Sequence, residues 1–196
     1  MLPIQQTTNL FIGIFREYAP VSHEIISEIA SRTKTVSRKK GSYVVKEGQI
    51  ATGLYIVEKG LVRGFYNRQD QEVTMWFGYE GIIFASIASF YNNKRSREVI
   101  QCLEDSVFQF ISNGDLQALY QKYPQMNTIS RKITEEYCII LDNRIFSMQT
   151  LSAEQRYREL LENEPEIIKR VALGYIASYL GISQETLSRI RKKLIF

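Results

Sequence analysis

The side chains with the most specific hydrogen-bonding capacity lie close to the end of this 196-residue sequence. Amide, carboxylate and hydroxyl groups pair with polar edges, a guanidinium presents a rigid fork of donors, and an ammonium group attracts anions. Together these groups supply the chemistry that binds a polyanionic, hydrogen-bonding surface such as a nucleic acid. The set that faces outward is Gln184, Glu185, Ser188, Arg189 and Lys192.

A helix, a sharp turn and a second helix are predicted to present these side chains, within residues 170–196. Gly181 stands where a helix end favours a left-handed residue, Ile182 can fill the corner, and Ser183 is a good N-cap. This spacing is typical of the helix-turn-helix motif, which lays a recognition helix in the major groove of DNA. A plain two-helix corner fits the same pattern. The inward-facing residues are Val171, Ile176, Ala177 and Leu180 on the first helix and Leu187, Ile190 and Leu194 on the second.

Positive charge is concentrated in the same segment. Residues 169–196 contain six basic residues and one acid, Glu185, which gives a net charge of +5. The whole chain has 25 basic and 21 acidic residues and a net charge of +4, so residues 1–168 carry about −1. Attraction to phosphate requires a concentrated positive face, so this distribution favours a DNA-binding segment over an ordinary solvated basic helix.

The remaining composition excludes several other classes of protein. Hydrophobic residues make up 44% and charged residues 23%, and no membrane-length apolar run or signal-peptide pattern is present. The isolated Cys102 and Cys138 indicate buried thiols of a reducing cytoplasm, and His23 is predicted to be a surface or capping residue. Two cysteines and one histidine cannot supply the usual metal ligands, so no metal or cofactor is expected. The same scarcity of histidine disfavours a metal-holding, cupin-like enzyme.

The first two thirds of the chain change from a helical to a strand pattern and back. Residues 9–31 are predicted to form two helices separated by Pro20, with Ser22 as the second cap. Glycines then punctuate short runs of β-branched and aromatic residues up to Ser112, which indicates a compact barrel or jelly roll. Gly48 and Gly60 are expected to need a positive φ. The clearest strands are residues 43–45, 54–57, 61–66, 73–77 and 107–111.

A long helix is predicted to follow, beginning at Pro124. Its apolar residues recur at steps of three, four or seven up to Leu151, which is too long a stripe to bury on a small barrel alone. The helix therefore either crosses the protein or pairs with a second copy, although Arg144 and Ser147 interrupt the stripe. A capping box from Ser152 to Gln155 restarts a helix at a hinge, so we place the domain boundary close to Leu151. The stripe comprises Met126, Ile129, Ile133, Tyr137, Ile140, Leu141, Met148 and Leu151.

The order of these parts resembles the Crp–Fnr family of bacterial transcription regulators over nearly the whole chain. The most specific pieces are the glycine-punctuated hairpins between Gly41 and Gly64 and the segment from Gly174 to Lys193. The resemblance implies an α+β fold with an N-terminal double-stranded β-helix (a jelly-roll-like β-roll), a long dimerisation helix and a C-terminal helix-turn-helix. We expect a sensor domain at residues 1–151, with the dimerisation helix at about 124–151, and a DNA-binding domain at residues 152–196.

The same resemblance implies roles for the recognition helix. Residues 183–186 together with Arg189 match the opening of that helix in the family. By this match Gln184, Glu185 and Arg189 face base edges, whereas Thr186 and Ser188 contact phosphates. Arg189 is expected to bind a guanine in a bidentate manner, and Lys192 and Lys193 are expected to bind phosphates.

The effector site departs from the family pattern. Members that bind cyclic nucleotides have Gly-Glu followed some ten residues later by Arg-Ser or Arg-Thr. Here Ala85-Ser86 stands in the first place, and Arg95-Ser96 fits the second only if the loop is one residue shorter. We expect a degenerate site for an unknown effector, with a weak or absent response to cyclic AMP. Its expected residues are Ser86, Arg95, Ser96 and Arg97, supported by Lys94 and surrounded by Tyr66, Phe84, Phe90 and Tyr91.

The sequence therefore predicts a cytoplasmic transcription regulator, not an enzyme, which binds a palindromic operator in double-stranded DNA as a homodimer. RNA polymerase is the expected further partner, and no membrane partner is expected. The sequence given ends at Phe196, directly after the recognition helix, as in short family members without a C-terminal wing. The alternative is a ligand-binding or scaffolding β-roll dimer whose terminal helices only pack.

Overall fold

A computed structural model describes residues 9–69 and 71–194, and it contains eight strands and nine helices within those ranges. None of these helices is both long enough and apolar enough to cross a membrane. The strands are β1 (Lys34–Arg38), β2 (Tyr43–Val45), β3 (Gly53–Lys59), β4 (Val62–Arg68), β5 (Gln71–Gly78), β6 (Ile83–Phe84), β7 (Glu98–Cys102) and β8 (Ser106–Ser112). The helices are α1 (Leu10–Tyr18), α2 (His23–Arg32), α3 (Ile87–Asn92), α4 (Asn113–Lys122), α5 (Pro124–Thr150), α6 (Ala153–Asn163), α7 (Pro165–Arg170), α8 (Leu173–Leu180) and α9 (Gln184–Leu194).

The strands form two four-stranded antiparallel sheets that face each other, the β-roll that was predicted. One sheet has the order β1-β8-β3-β6 and the other the order β2-β7-β4-β5. Apolar residues from both sheets, such as Phe84, Ile100 and Phe108, fill the space between them. Gly48 and Gly60 turn the chain with φ values of 81° and 109°, as predicted, because L-residues with a Cβ rarely adopt this conformation.

The N-terminal helices close one side of the roll. Phe11 and Ile25 are buried against the start of α5, where Met126 and Ile129 complete the cluster. Ser22 accepts a hydrogen bond from the Ile25 amide as the N-cap of α2, and His23 is exposed at the first position of that helix, both as expected.

The 27-residue helix α5 begins at Pro124 as predicted, but its apolar residues divide into two groups. The first group, which includes Ile133, packs in the core that the N-terminal helices, α4 and the roll of the same chain share, so Ile133 does not belong to an open dimer face. The second group is exposed to solvent, and so is Cys138, contrary to the expectation that both cysteines are buried. The exposed group comprises Tyr137, Ile139, Ile140, Leu141, Ile145, Phe146 and Met148.

The last four helices form a second core that also includes part of the roll. Ser152 and Gln155 make the predicted capping box at the start of α6, after α5 has ended at Thr150. Helices α6 to α9 then bury a cluster that contains Ile176 and Leu187, and Leu61 of the roll lies in the same cluster. The C-terminal helices are therefore docked on the roll of their own chain.

Candidate nucleic-acid interface and effector cavity

The two helices at the end of the chain form a helix-turn-helix. Helix α8 ends at Leu180, its C-cap Gly181 adopts a left-handed conformation with φ 67°, and α9 begins three residues after that cap. The hydroxyl of Ser183 accepts a hydrogen bond from the Thr186 amide over 3.2 Å, so it caps α9 as the sequence indicated. Ala177 is buried and Leu187 of α9 packs in the same cluster, so the small residue lets the helices approach closely.

The predicted DNA-contacting residues all lie on α9, and most of their side chains are exposed. Thr186 and Ser188 are half-buried nearer the helix crossing. Arg189 donates to the Thr186 hydroxyl oxygen over 3.2 Å, which orients its guanidinium along the helix surface. The exposed residues are Gln184, Glu185, Arg189, Lys192 and Lys193.

Glu185 is the one carboxylate among these residues, and its surroundings keep it charged. The Ser183 hydroxyl, the backbone amide of Glu185 itself and the positive charge of Arg189 all lower the pKa of its carboxyl group. At neutral pH this surface therefore presents a carboxylate acceptor beside a guanidinium donor. Such a pair can read donor and acceptor patterns on base edges.

Lys193 has a protein partner that the sequence did not indicate. Its ammonium group lies 2.8 Å from Glu154 Oε2 on α6, and that contact ties the end of α9 to the preceding helix. The pair is separated by 39 residues, and no sequence pattern links the two positions. Lys192 is exposed on the same turn of α9. A phosphate contact by Lys193 therefore competes with an existing ion pair, whereas Lys192 has an exposed ammonium group.

Helix α8 is fixed to strand β5 through one serine. The backbone amide of Thr74 donates to Ser178 Oγ over 2.9 Å, and the Ser178 hydroxyl donates to the Glu72 carbonyl over 2.9 Å. These bonds satisfy backbone groups on the exposed edge of the sheet, which would otherwise need water or another strand. Helix α8, which precedes α9, is thus held against the roll.

Arg63 of β4 lies beneath this contact with 1% of its surface exposed. Its guanidinium stacks on Tyr175 of α8, donates to Gln101 Oε1 over 2.9 Å and forms an ion pair with Glu72. Its Nη1 atom has no hydrogen-bond partner among the described residues, although it is buried. A buried charge with an unmet donor stabilises a contact less than a fully satisfied one does.

Arg170 at the end of α7 makes a second link to the roll. Its guanidinium lies 2.7 Å from both Glu80 Oε2 and Glu104 Oε2, and it also donates to the Gly60 carbonyl over 3.0 Å. The hydrogen bond from Arg170 is the main cause that lowers the pKa of Glu80 to about 2. Gly60 lies at the β3–β4 turn, so this arginine joins the C-terminal helices to a hairpin of the roll.

The four residues proposed as effector ligands surround one cavity of about 330 Å³ in the roll. Ser86 and Ser96 are buried at its base, whereas Arg95 and Arg97 are exposed at its mouth beside Lys94. Tyr66 is the only one of the four predicted aromatic residues on its wall. Phe84 and Phe90 are instead buried in the core, and Tyr91 lines a separate groove against α5.

The base of the cavity is a closed hydrogen-bond network. The Ser86 and Ser96 hydroxyl oxygens are 2.7 Å apart, and the Ser96 hydroxyl donates to the Glu98 carbonyl. The buried Glu98 side chain accepts a 2.6 Å hydrogen bond from the Trp76 indole. Burial raises the pKa of the Glu98 carboxyl group, against the opposing effect of the indole and Ser86 hydrogen bonds. Sequence reasoning missed Glu98, whose acidic side chain sits at the start of a strand without a recognisable motif.

Part of this fold matches a known domain family. Residues 35–123 match the family model described as the cyclic nucleotide-binding domain, which spans the β-roll, the cavity and α4. Over about 90% of the chain, the fold is also that of a solved structure described as a Crp–Fnr transcription regulator. A sequence comparison with curated proteins found no significant match.

Three solved structures illustrate the similarity. FixK2 from Bradyrhizobium japonicum is 19% identical with a TM-score of 0.70, over 83% of this chain and 84% of that chain. A protein from Eubacterium rectale, described as a regulator of the Crp–Fnr family, is 17% identical with a TM-score of 0.70. The match covers 90% of this chain and 87% of that chain. The c-di-GMP-responsive regulator CLP from Xanthomonas campestris is 19% identical with a TM-score of 0.67. The match covers 88% of this chain and 91% of that chain.

Proposed function

We propose that this protein is a cytoplasmic, sequence-specific transcription regulator of the Crp–Fnr type, which binds a palindromic operator as a homodimer. The observation that carries the proposal is the exposed, capped helix α9. It presents Arg189, Glu185 and Gln184 to solvent at the end of a chain segment with a net charge of +5. These side chains suit base edges in the major groove, and the neighbouring lysines suit the phosphate backbone. RNA polymerase is the proposed further partner, because an operator-bound regulator acts at promoters.

The exposed apolar residues of α5 support the dimer. A soluble monomer rarely leaves so many large apolar side chains on one helix in water, so a second copy is the occupant we propose. Five residues of this helix follow the alternating steps of four and three that characterise a coiled-coil seam. They are Thr134, Cys138, Leu141, Ile145 and Met148. A two-fold pair of α5 helices would present two α9 helices to successive turns of DNA.

The cavity of the roll supports a sensor role with altered chemistry. Its mouth carries Lys94, Arg95 and Arg97, which can hold an anion, whereas its base is occupied by hydroxyl groups and Glu98. Ser86 stands where cyclic-nucleotide-binding members carry a glutamate, and it is already bonded to Ser96. We therefore propose that cyclic AMP binds weakly or not at all, and that the effector, where one exists, is a different anion.

Selection of bound fragments from a pool of random double-stranded DNA tests the proposal. We expect a palindromic consensus with half-sites centred about 10 bp apart, and an affinity that falls steeply with salt because bound cations are released from the DNA. The same selection carried out with the Arg189→Ala variant should yield a consensus that is relaxed at one position in each half-site. Recovery of no enriched sequence, together with no salt-dependent binding, would favour a ligand-binding or scaffolding dimer whose terminal helices only pack.

A further inference from the structure

Arg144 is the charged residue that interrupts the apolar stripe of α5, and the structure shows where its side chain goes. Its guanidinium lies over the Tyr179 ring, with 3.9 Å between Cζ and the ring centroid, and Nη2 donates to the Tyr179 carbonyl. Tyr179 belongs to α8, one helix before the recognition helix. The Arg144 side chain therefore turns away from the apolar stripe and joins the long helix to the helix-turn-helix.

A second arginine binds the next carbonyl along α8. Arg156 of α6 donates from Nε and Nη2 to the Leu180 carbonyl, over 3.2 and 2.9 Å, and from Nη1 to the Leu151 carbonyl over 2.6 Å. Leu151 is the C-cap of α5. One guanidinium thus joins the end of the long helix to the end of α8.

The two arginines complete the hydrogen bonding of the α8 C-terminus. The last four carbonyls of a helix have no partner within it. Here the amides of the turn satisfy the first two, because Ile182 N donates to Ala177 O and Gly181 N donates to Ser178 O, each over 3.1 Å. The arginines satisfy the other two, at Tyr179 and Leu180. The amides of the turn do not bond to these last two carbonyls, and donors from α5 and α6 hold the end of α8 instead.

This arrangement places two positive charges close together, which has a cost. Burial is the main cause that lowers the pKa of Arg144, and the nearby charge of Arg156 lowers it further. The negative end of the α8 dipole offsets this repulsion, since both guanidiniums lie at that end. A simple packing contact between α5 and α8 would not need two like charges at this point.

Two further contacts hold the same corner. Met148 of α5 packs so closely on the turn that a Cβ added at Gly181 would lie 2.9 Å from its Cε. Ser147 donates to Glu159 Oε2 on α6 over 3.0 Å, so both residues that interrupt the apolar stripe contact the C-terminal helices. The end of α5 and the turn before α9 are therefore joined at several points within about two helical turns.

We propose that Arg144 and Arg156 are positioning residues that fix the recognition helix relative to the dimer helix, and so set the half-site spacing of the operator. The inference rests on the proposed function, because only a dimer with two recognition helices has a spacing to set. Each base pair adds 3.4 Å and about a tenth of a turn between half-sites, so a fixed pair of helices tolerates little change. A loosely held pair engages several spacings with lower affinity for each, since its effective concentration at the second half-site falls.

The test uses the palindromic fragment recovered by the wild-type protein, and versions with one or two base pairs added or removed at its centre. We expect wild-type affinity to fall at least about a hundredfold when the spacing changes by two base pairs. Arg144→Met and Arg156→Met should lose about tenfold affinity for the best spacing, while the difference between spacings shrinks to less than about tenfold. Arg144→Lys, which keeps a positive charge and can still donate to the Tyr179 carbonyl, should recover part of the discrimination.

The control variant is Arg158→Met, which removes the same charge from α6. Arg158 is exposed and donates to Glu154 within its own helix, so its loss should leave the spacing preference unchanged. All variants should bind a single half-site and random DNA with wild-type affinity to within about twofold, because the α9 surface is intact. Arg144→Met with an undiminished spacing preference would overturn the proposal, even if its stability were reduced.

A measurement without DNA separates this proposal from the proposed function. Spin labels are attached at Asp142→Cys of α5 and Lys192→Cys of α9 on a Cys138→Ser background. Dilution with unlabelled protein ensures that the labels report the distance within one chain. We expect one narrow distance distribution for the otherwise unchanged protein and a clearly broadened one for Arg144→Met and Arg156→Met. A distribution that stays narrow in both would contradict the positioning role. Failure of the wild type to bind DNA would contradict the proposed function and the spacing that depends on it, and would leave the positioning of α9 by the two arginines to be judged by the distance distributions alone.

Discussion

Arg63 of the β-roll lies face-on against Tyr175 of the helix-turn-helix, with 3.7 Å between its guanidinium carbon and the ring centroid. The two residues are 112 positions apart in the sequence, and their contact is one of the points where the β-roll and the C-terminal helices meet. Phe65 lies 4.2 Å from the same guanidinium carbon, so the cation has an aromatic neighbour in the roll as well. A cation enclosed in this way is attracted by the π-faces and is largely withdrawn from water.

The first prediction concerns this contact. Tyr175→Ala removes one aromatic face and leaves the buried guanidinium less well paired, so we expect the free energy of unfolding to fall by about 2 kcal/mol. Urea denaturation at a fixed protein concentration measures the change. The matched control is Tyr43→Ala, because Tyr43 is half-exposed on the roll and has its own weaker cation contact to Lys46 at 5.5 Å. Equal losses for both variants would contradict a special role for Tyr175.

The second prediction concerns base recognition. Arg189→Ala should cost about 1–3 kcal/mol of discrimination at one base position and leave random-sequence binding nearly unchanged. Lys192→Ala should weaken binding to all DNA sequences alike. It should also reduce the slope of log affinity against log salt by about 0.9, because one phosphate contact is lost. Titrations of specific and random duplexes at several salt concentrations separate the two effects. If Arg189→Ala lowered both affinities equally, its role would be electrostatic.

The third prediction concerns assembly. Leu141→Asp should yield monomers in light scattering at micromolar concentration and lose operator binding at the same time, because it places a charge on the proposed seam. Leu141 is a better position than Ile133, which packs against the core of its own chain and whose replacement would also disturb that core. A wild-type protein that is monomeric at this concentration would contradict the proposed dimer.

The exposed cysteine gives an independent test of the same seam. If two copies of α5 pair in parallel, the Cys138 thiols of the two chains face each other. Diamide should then convert them to a disulfide, as the azo group takes up the two electrons and two protons and becomes a hydrazine. We expect a cross-linked dimer on a non-reducing gel and none for Cys138→Ser, since the remaining Cys102 is buried. An uncrosslinked wild type that is nevertheless dimeric would place the contact elsewhere.

The fourth prediction concerns the ionisation of Glu98. Trp76 is the single tryptophan of the chain and donates to this carboxyl group, so its fluorescence should follow the titration. Because burial raises the pKa of Glu98 in the folded protein, the folded state holds this proton more tightly than the unfolded state does. The stability from this group is therefore fully present below the ordinary pKa near 4.5 and is lost as the pH rises through the raised value.

Glu98→Gln tests both parts of that prediction. It should abolish the fluorescence transition and increase stability at neutral pH relative to the wild type, since no charge is then buried at the base of the cavity. Glu47→Gln, an exposed carboxylate on the same roll, should leave the transition in place. A wild-type fluorescence transition centred at or below the ordinary glutamate pKa would show that burial does not dominate.

The fifth prediction concerns the effector. Calorimetry with cyclic AMP and cyclic GMP should show weak or no binding, because a serine at position 86 cannot supply the charged acceptor of a glutamate. That loss amounts to about 1.5–3 kcal/mol, or roughly a tenfold to hundredfold reduction in affinity. Micromolar binding that disappears in Arg95→Ala would overturn this prediction and would show that the shorter loop still aligns Arg95 with the phosphate.

The sequence alone determined the local elements, because their signals are local. Gly181 and Ser183 mark the end of one helix and the start of the next through backbone conformation and capping, which involve neighbouring residues only. The same holds for Pro124 at the start of α5 and for the positive φ at Gly60. The short strands separated by glycine turns also predicted a compact barrel or jelly roll, and the structure has such a roll.

The tertiary structure decided which distant residues meet. Nothing local in the sequence pairs Glu154 with Lys193, brings Glu98 under Trp76 or shows that Cys138 is exposed while Cys102 is buried. Arg144 is the clearest case, because in the sequence it is only a defect in an apolar stripe. Its partner is the Tyr179 carbonyl, a backbone group that every residue possesses and that no residue pattern can mark. Such contacts arise from the path of the whole chain, so only the folded structure reveals them.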